Sequence, residues 1–294
     1  LKKINYNFIK SDISNENLIL KIFKNNKINF LVNFASESHV DRSIENPKYF
    51  IQKNINSTLK LLDTLRRVKE KKKLGEKFKF IHVSTDEVYG SSFKSLNEEA
   101  SLKPNSPYSS SKASIDLLIR SYGKTFNLPY IICRPCNNFG PYQFTEKLVP
   151  TIITKILKKK KIPIYGDGSN LREWIYVKDT CKAILNICYK SNNSEIYNIG
   201  SNVRLRNIDL CKLILNRFKV KDKELNNYIK FVYDRPGHDR SYSIDSKKIN
   251  KKIFQSMSSK KDIVSKLYKT VDWYIENDKW LKHCFKKYKG DRIG

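Results

Sequence analysis

Short apolar runs alternate along the first half of the chain with longer segments whose apolar positions recur at helical spacing. Residues 6–9 read as a short strand closing near Asp12, and 15–25 as a helix that turns Leu18, Ile22 and Phe23 inward. A second strand is predicted over 29–34. Phe50, Ile51, Ile55, Leu59, Leu62 and Leu65 then predict a long helix that ends in the lysine cluster at 69–73. The run Phe78-Lys79-Phe80-Ile81-His82-Val83 has the character of a parallel strand buried on both faces. A helix beginning near Tyr108 and a strand over 130–134 complete a βαβαβ alternation. That order implies an α/β fold with a doubly wound parallel sheet, its ligand in the crevice beyond the carboxyl ends of the strands.

After Gly140-Pro141 the elements become shorter and more mixed: helix 148–157, strand 162–165, a Gly166-Asp167-Gly168 turn, strand 173–176, helix 179–189, strand 196–199, helix 207–218, a loop over 234–240 and helix 262–275. The change divides the chain into a 1–140 unit and a 141–294 unit. The second is expected to be mainly a substrate-binding lobe, with some elements returning to the main sheet.

A chain of 294 residues buries a full core and suggests one large or two medium domains. No apolar run approaches the roughly 20 residues of a membrane span, and no signal peptide is evident, so a soluble intracellular protein is expected. The six cysteines, Cys133, Cys136, Cys181, Cys188, Cys211 and Cys284, show no secreted disulfide pattern and are expected to be reduced. Cys133-Arg134-Pro135-Cys136 has the spacing of a redox or zinc motif. No second such pair or histidine pair accompanies it, and structural cysteines are expected. A formal charge of +29 raises nucleic acid as a partner. Lysine, however, accompanies asparagine and isoleucine throughout, core-like segments included, and the clusters at 69–73 and 158–161 fall at helix ends or loops without a nucleic-acid-binding motif. A solvated basic face is expected, one that also attracts an anionic nucleotide substrate.

The strand over 78–83 delivers Ser84-Thr85-Asp86-Glu87 to the edge of the sheet where such folds place functional groups. Adjacent strand residues point to opposite faces, so the chain must leave strand geometry there for Asp86 and Glu87 to reach one ligand. Tyr108 and Lys112, four apart, share a helical face, with the lysine placed to supply the cation a tyrosine base requires. His82, inside the strand, is expected to be a packed core residue.

Tyr-x-x-x-Lys in an alternating α/β chain points to nicotinamide chemistry. Five longer motifs then resemble one family closely: Ala35-Ser36-Glu37-Ser38-His39-Val40-Asp41-Arg42-Ser43, Ser84-Thr85-Asp86-Glu87-Val88-Tyr89-Gly90, Ser106-Pro107-Tyr108-Ser109, Asn137-Asn138-Phe139-Gly140-Pro141-Tyr142 and Arg235-Pro236-Gly237-His238-Asp239-Arg240. In order, and over essentially the whole chain, they resemble the dTDP-glucose 4,6-dehydratases, extended short-chain dehydrogenases with a Rossmann-like domain.

The resemblance implies a homodimeric cytoplasmic enzyme with tightly held NAD, which turns a dTDP-glucose substrate into dTDP-4-keto-6-deoxyglucose on deoxysugar routes such as that to rhamnose. By motif, Tyr108, with Lys112 beside it, takes the proton from the sugar 4-hydroxyl as hydride passes from C4 to NAD, and Thr85 hydrogen-bonds that oxygen. Glu87 removes the C5 proton that the new ketone acidifies, Asp86 protonates the departing 6-hydroxyl, and hydride returns to C6. Elimination needs a base and an acid at once, which is why two carboxylates stand together. By the same resemblance Asp12, Ile13, Phe34, Ala35, Ser36 and Asn138 join Tyr108 and Lys112 on the cofactor side. Ser38, Asn137, Lys147, Leu148, Pro163, Ile164, Tyr165, Arg172, Asn207, Asp234, Arg235 and His238 join Thr85 on the substrate side. The guanidinium forks of Arg172 and Arg235 suit a diphosphate.

Ser36 for a usual alanine, Phe139 for a usual tyrosine and Glu173 for a usual aspartate are mild departures. The only methionine is Met257 and the first glycine is Gly75. The family's first strand, its glycine-rich phosphate loop and its ribose-binding acid therefore have no counterpart, and the chain from Leu1 is expected to hold NAD weakly. Related nucleotide-sugar epimerases and decarboxylases share the Tyr-Lys pair but do not need Asp86-Glu87. A UDP-glucose 4,6-dehydratase would keep the pair, and the loop at 235–238 favours dTDP over it. A non-enzymatic reading, an inert or nucleic-acid-binding basic protein, is opposed by the matched catalytic positions.

Overall fold

The computed structural model describes residues 6–253 and 258–287. Four parallel strands make the main sheet: β1 (Phe30–Asn33), β2 (Lys79–Val83), β3 (Tyr130–Pro135) and, from much later in the chain, the strand Glu195–Ile199 beside β3. Alternation along these strands builds two cores. Phe80 and Ile132 face Leu61, Leu62, Leu65, Ile115 and Ile119 of helices Ser57–Glu70 and Pro107–Phe126. Ile81, Ile131 and Cys133 face Ala183, Ile184 and Ile187 of helix Val177–Lys190 on the other side. Covered on both faces, the sheet is the doubly wound one that the apolar runs predict.

A third core lies in the second half. Strands β4 (Asn137–Phe139), β5 (Ile162–Tyr165) and β6 (Leu171–Tyr176) precede Glu195–Ile199, which is therefore β7, followed by β8 (Arg204–Arg206) and β9 (Ile229–Val232). β4 runs parallel to β6, β8 antiparallel to it, and β5 pairs with β9 in parallel. Helices Leu148–Leu157, Asn207–Arg217 and Lys260–Glu276 pack Ile152, Ile153, Ile214, Leu267 and Tyr274 against them. The three-residue strands, β9, and helices Val40–Glu45 and Asp278–Lys287 had no sequence signal strong enough to predict them.

Residues 6–9 are not a strand. Tyr6 and Phe8 are 79% and 71% exposed, and no described strand lies alongside to take their backbone hydrogen bonds, without which an apolar run is not held extended. Helix Glu16–Asn25 buries Phe23 as expected, but Ile19 and Leu20, rather than Leu18 and Ile22, pack on the core. The long helix over 50–70 carries a π-helical segment, Ile51–Asn56, which shifts its phase. Ile51 is turned out, 38% exposed, and Asn54 is turned in. There the Asn54 amide takes the Glu37 N–H at 2.8 Å and donates to Glu37 O at 3.0 Å and Ser111 Oγ at 2.9 Å, so the loop after β1 is pinned to helix Pro107–Phe126. No described helix is long and apolar enough to cross a membrane.

Candidate active site

At the carboxyl end of β2 the backbone turns at once into a single 3₁₀ turn, Asp86–Tyr89. Thr85, still extended, caps it, its hydroxyl accepting the Glu87 N–H at 3.3 Å and reaching Asp86 Oδ1 at 3.3 Å. Gly90 ends the turn at φ +73°, where a Cβ would meet the Lys103 carbonyl oxygen at 2.0 Å. The tight turn is what places Asp86 and Glu87 side by side. With Ser84, Thr85, Tyr108, Asn137 and Leu148 they line a cavity of about 300 Å³.

Tyr108 reaches this cavity from helix Pro107–Phe126, while Lys112, one turn further on, is buried without lining it. The start of the helix is fixed by Ser106: the serine accepts the Ser109 N–H at 3.1 Å while Ser109 Oγ accepts the Ser106 N–H at 3.0 Å. Lys112 donates to the Val83 carbonyl at 2.7 Å. Burial pushes the Lys112 ammonium down to about 8, against the attraction of Asp116. Burial, and next the charge of Glu87, push the Tyr108 phenol far up, while the Thr85 hydroxyl pulls the other way. Burial also raises the Asp86 carboxyl well above the usual carboxylate range, reinforced by the charges of Glu87 and Glu173. The shift favours the protonated form of Asp86, and its Oδ2 has no hydrogen-bond partner among the described residues.

A second cavity of about 140 Å³ continues from Glu87 and Asn137 into the other half of the chain, lined by Ser38, Lys147, Leu148, Tyr165, Arg172, Asn207, Arg235 and His238. Asp41, not singled out in the sequence, organises one wall. Its carboxylate accepts the Tyr165 hydroxyl at 2.7 Å and Arg235 Nη1 at 3.1 Å. Burial works to raise the Asp41 pKa, but these two partners, together with His39, outweigh it and hold the carboxyl below the usual range. Asp234, which lines neither cavity, accepts a hydrogen bond from His238, and burial, then the charge of Arg235, push that histidine down to about 4.

Three of the expected substrate contacts, Pro163, Ile164 and Asp234, line neither cavity. Ile164 is buried in the core of the second half and Pro163 pairs with Lys230 in the β5–β9 ladder; only Tyr165 of that strand reaches the cavity. On the cofactor side, Asn138 lines the larger cavity but is engaged by Thr180 and the Cys136 carbonyl. Asp12 caps Ser14 in an exposed loop and Ile13 packs on the core. Phe34, 60% exposed, Ala35 and Ser36 follow β1 outside both cavities.

Tyr242 was also missed. Its hydroxyl donates to Asp239 Oδ2 at 2.6 Å and lies 3.5 Å from Glu87 Oε2, and the Arg172 guanidinium stacks on its ring at 4.3 Å. A lone tyrosine three residues past an aspartate carries no local pattern, so only the tertiary fold reveals it. Cys133 and Cys136 are buried and free, and among the described residues no cluster of histidine, cysteine or acidic side chains is placed to hold a metal.

The family described as GDP-mannose 4,6 dehydratase matches residues 1–264. A dTDP-glucose 4,6-dehydratase of Xanthomonas campestris pv. campestris is 38% identical over 299 residues, spanning 98% of this chain and 84% of that protein. The chain belongs to the dTDP-glucose 4,6-dehydratase family. Among solved structures, the family's DesIV from Streptomyces venezuelae, with NAD and TYD bound, superposes with a TM-score of 0.86 at 37% identity, over 94% of this chain and 82% of that one. The Bacillus anthracis dTDP-glucose 4,6-dehydratase in complex with NAD gives 0.82 at 38% identity, over 96% and 84%.

Proposed function

We propose that this protein is an NAD-dependent dTDP-glucose 4,6-dehydratase, a hydro-lyase, and that residues 1–140 mainly hold the cofactor and 141–294 mainly the sugar nucleotide. The observation that carries the reading is the meeting of Tyr108, Thr85, Glu87 and Asp86 around one cavity, where burial pushes the Asp86 carboxyl up. Membership of the family and the likeness to NAD-bound relatives support it.

The orphaned polar atoms fit polar ligands. Asp86 Oδ2, Asn137 Oδ1 and Gln143 Oε1 in the larger cavity, and Trp174 Nε1, Asn207 Oδ1 and Arg235 Nε in the smaller, are buried without hydrogen-bond partners among the described residues. Buried polar groups are almost always satisfied, and a hexose with its diphosphate presents the hydroxyls and oxygens to do so. Tyr108 and Asn138 line the larger cavity and, with Lys112, would meet the nicotinamide half of NAD. Bound there, NAD supplies the hydride acceptor and, when oxidised, a positive charge beside the phenol.

Tyr108 takes the proton of the sugar 4-hydroxyl, with Thr85 orienting that oxygen. Glu87 then takes the C5 proton, and Asp86, held protonated, gives its own to the 6-oxygen, which leaves as water. Lys147, Arg172 and Arg235 set positive charge along the smaller cavity for the diphosphate, and Asp41 keeps Arg235 and Tyr165 in place. Two finer readings accompany this one. A homodimer is supported by Ile51 and Leu117, apolar side chains 38% and 54% exposed on adjacent helices. A cytoplasmic site is supported by Cys133, Cys136, Cys188 and Cys211, buried thiols that form no disulfide. Incubation with NAD and either dTDP-glucose or UDP-glucose, read by mass spectrometry, tests the activity: a product lighter by one water is expected from the dTDP sugar, and its absence with both would refute the assignment.

A further inference from the structure

His82, buried to 0% exposure within β2, touches the candidate catalytic lysine. Its Nε2 is 3.3 Å from Lys112 Nζ, and its Nδ1 is 3.3 Å from the side-chain nitrogen of Asn33 on β1. The Asn33 amide is oriented by its other end, because Oδ1 accepts the Ala35 N–H at 3.0 Å and a turned-over amide would set two donors face to face.

Counting donors decides the rest. A neutral imidazole has one N–H and one lone pair. Burial holds His82 far below its usual range and so neutral. Asn33 donates to Nδ1, so the single ring N–H is at Nε2 and points at Lys112. An amine lone pair accepts that hydrogen, whereas an ammonium has none to offer. From the Ala35 N–H through Asn33, His82 and Lys112 to the Val83 carbonyl, every donor meets an acceptor only if Lys112 is the neutral amine.

We propose that Asn33 and His82 form a hydrogen-bond wire that holds Lys112 as the neutral amine until the backbone at Ala35 finds another acceptor. The inference rests on Lys112 being the partner of Tyr108. Once the cofactor offers Ala35 an acceptor, the Asn33 amide is free to turn. His82 then carries its hydrogen on Nδ1, Nε2 accepts, and Lys112 takes a proton from solvent to become the ammonium that Tyr108 requires. Cofactor docking at residues 34–36 would thereby arm the base.

The charged neighbours permit this. On the lysine's own helix, Asp116 attracts the ammonium but is held by Arg134 Nε of β3 at 2.9 Å, and Tyr108 is protonated. β2 presents only the His82 ring and the Val83 carbonyl to Lys112, and the charge of Glu87 acts on Tyr108. Burial already brings Lys112 down to about 8, and a donor facing it pushes in the same direction. Asn33 and His82 are positioning residues here, since neither touches the sugar.

The test is the tautomer of His82, read by NMR of protein carrying ¹⁵N-labelled histidine. Without cofactor at neutral pH, Nε2–H is expected; with NAD bound, as checked by the absorbance of the isolated complex, Nδ1–H. An Nδ1–H ring in the cofactor-free protein, or a ring unchanged in the complex, overturns the wire. Asn33→Asp, which only accepts, should give Nδ1–H without cofactor and raise the Lys112 titration midpoint; a folded variant that keeps Nε2–H overturns it equally. Absence of dTDP-glucose turnover would defeat the proposed activity and leave the ring readout untouched, so the two failures are distinguishable.

Discussion

Arg134 and Asp116 form an ion pair of 2.9 Å with side chains only 1% and 0% exposed, and it bolts the middle of the Tyr108–Lys112 helix to β3. The pair extends through Arg134 Nη1 to the Tyr89 hydroxyl at 2.7 Å, and from there to Asn198 at 2.8 Å. Removing one member of a buried pair leaves the other uncompensated, at a cost of about 3–5 kcal/mol. Asp116→Ala is therefore expected to lose stability of that order in urea unfolding, and Asp116→Asn distinctly less, since an amide oxygen still accepts from Arg134. Equal losses would show that the charge, and not the hydrogen bond, holds the helix.

Asp86 should make the protein less stable at neutral pH. Its folded-state pKa lies well above that of an exposed aspartate, so between the two values the folded state binds a proton that the unfolded state does not. Stability from this group is full below about pH 3.9 and falls as pH rises toward the folded pKa. Asp86→Asn, neutral throughout, should melt higher than the parent at pH 7, and the gain should vanish at acid pH. A variant that melts lower at both would contradict a protonated Asp86.

The two carboxylates should separate oxidation from elimination. In Glu87→Gln and Asp86→Asn the sugar can still lose its C4 hydride, so reduced nicotinamide should build up in stopped-flow absorbance while turnover falls roughly 10²–10⁴-fold. Normal turnover in Glu87→Gln would remove that residue from its role.

Asp41→Asn should weaken the grip on Arg235 and Tyr165 without touching the reacting carbons. A charge-assisted hydrogen bond of about 1.5–3 kcal/mol corresponds to a KM raised about ten- to a hundredfold with kcat little changed. Steady-state kinetics with dTDP-glucose checks the split; a fall in kcat alone would place Asp41 nearer the chemistry.

What the sequence made legible follows from how local each signal is. β2 and β3 carry continuous apolar runs, and Tyr108 and Lys112 are joined by a helix turn, so strand, helix and pair could be read directly. Thr85-Asp86-Glu87 announced a break in strand geometry, and the 3₁₀ turn supplies it. Asp41, Tyr242 and the His82–Lys112 contact depend on partners 30 to 194 residues away, which no pattern along the chain encodes. Residues 6–9 failed for the opposite reason, since an apolar run becomes a strand only beside another strand. Ile164 was misplaced because a strand near a cleft shows it only some of its side chains.

The account stands most directly on the path of one hydrogen. With dTDP-glucose deuterated at C4, the purified protein and NAD should yield a product lighter by one water that carries the deuterium at C6, read by mass spectrometry and NMR. Deuterium lost to solvent, or kept at C4 in a product that has lost no water, would contradict it.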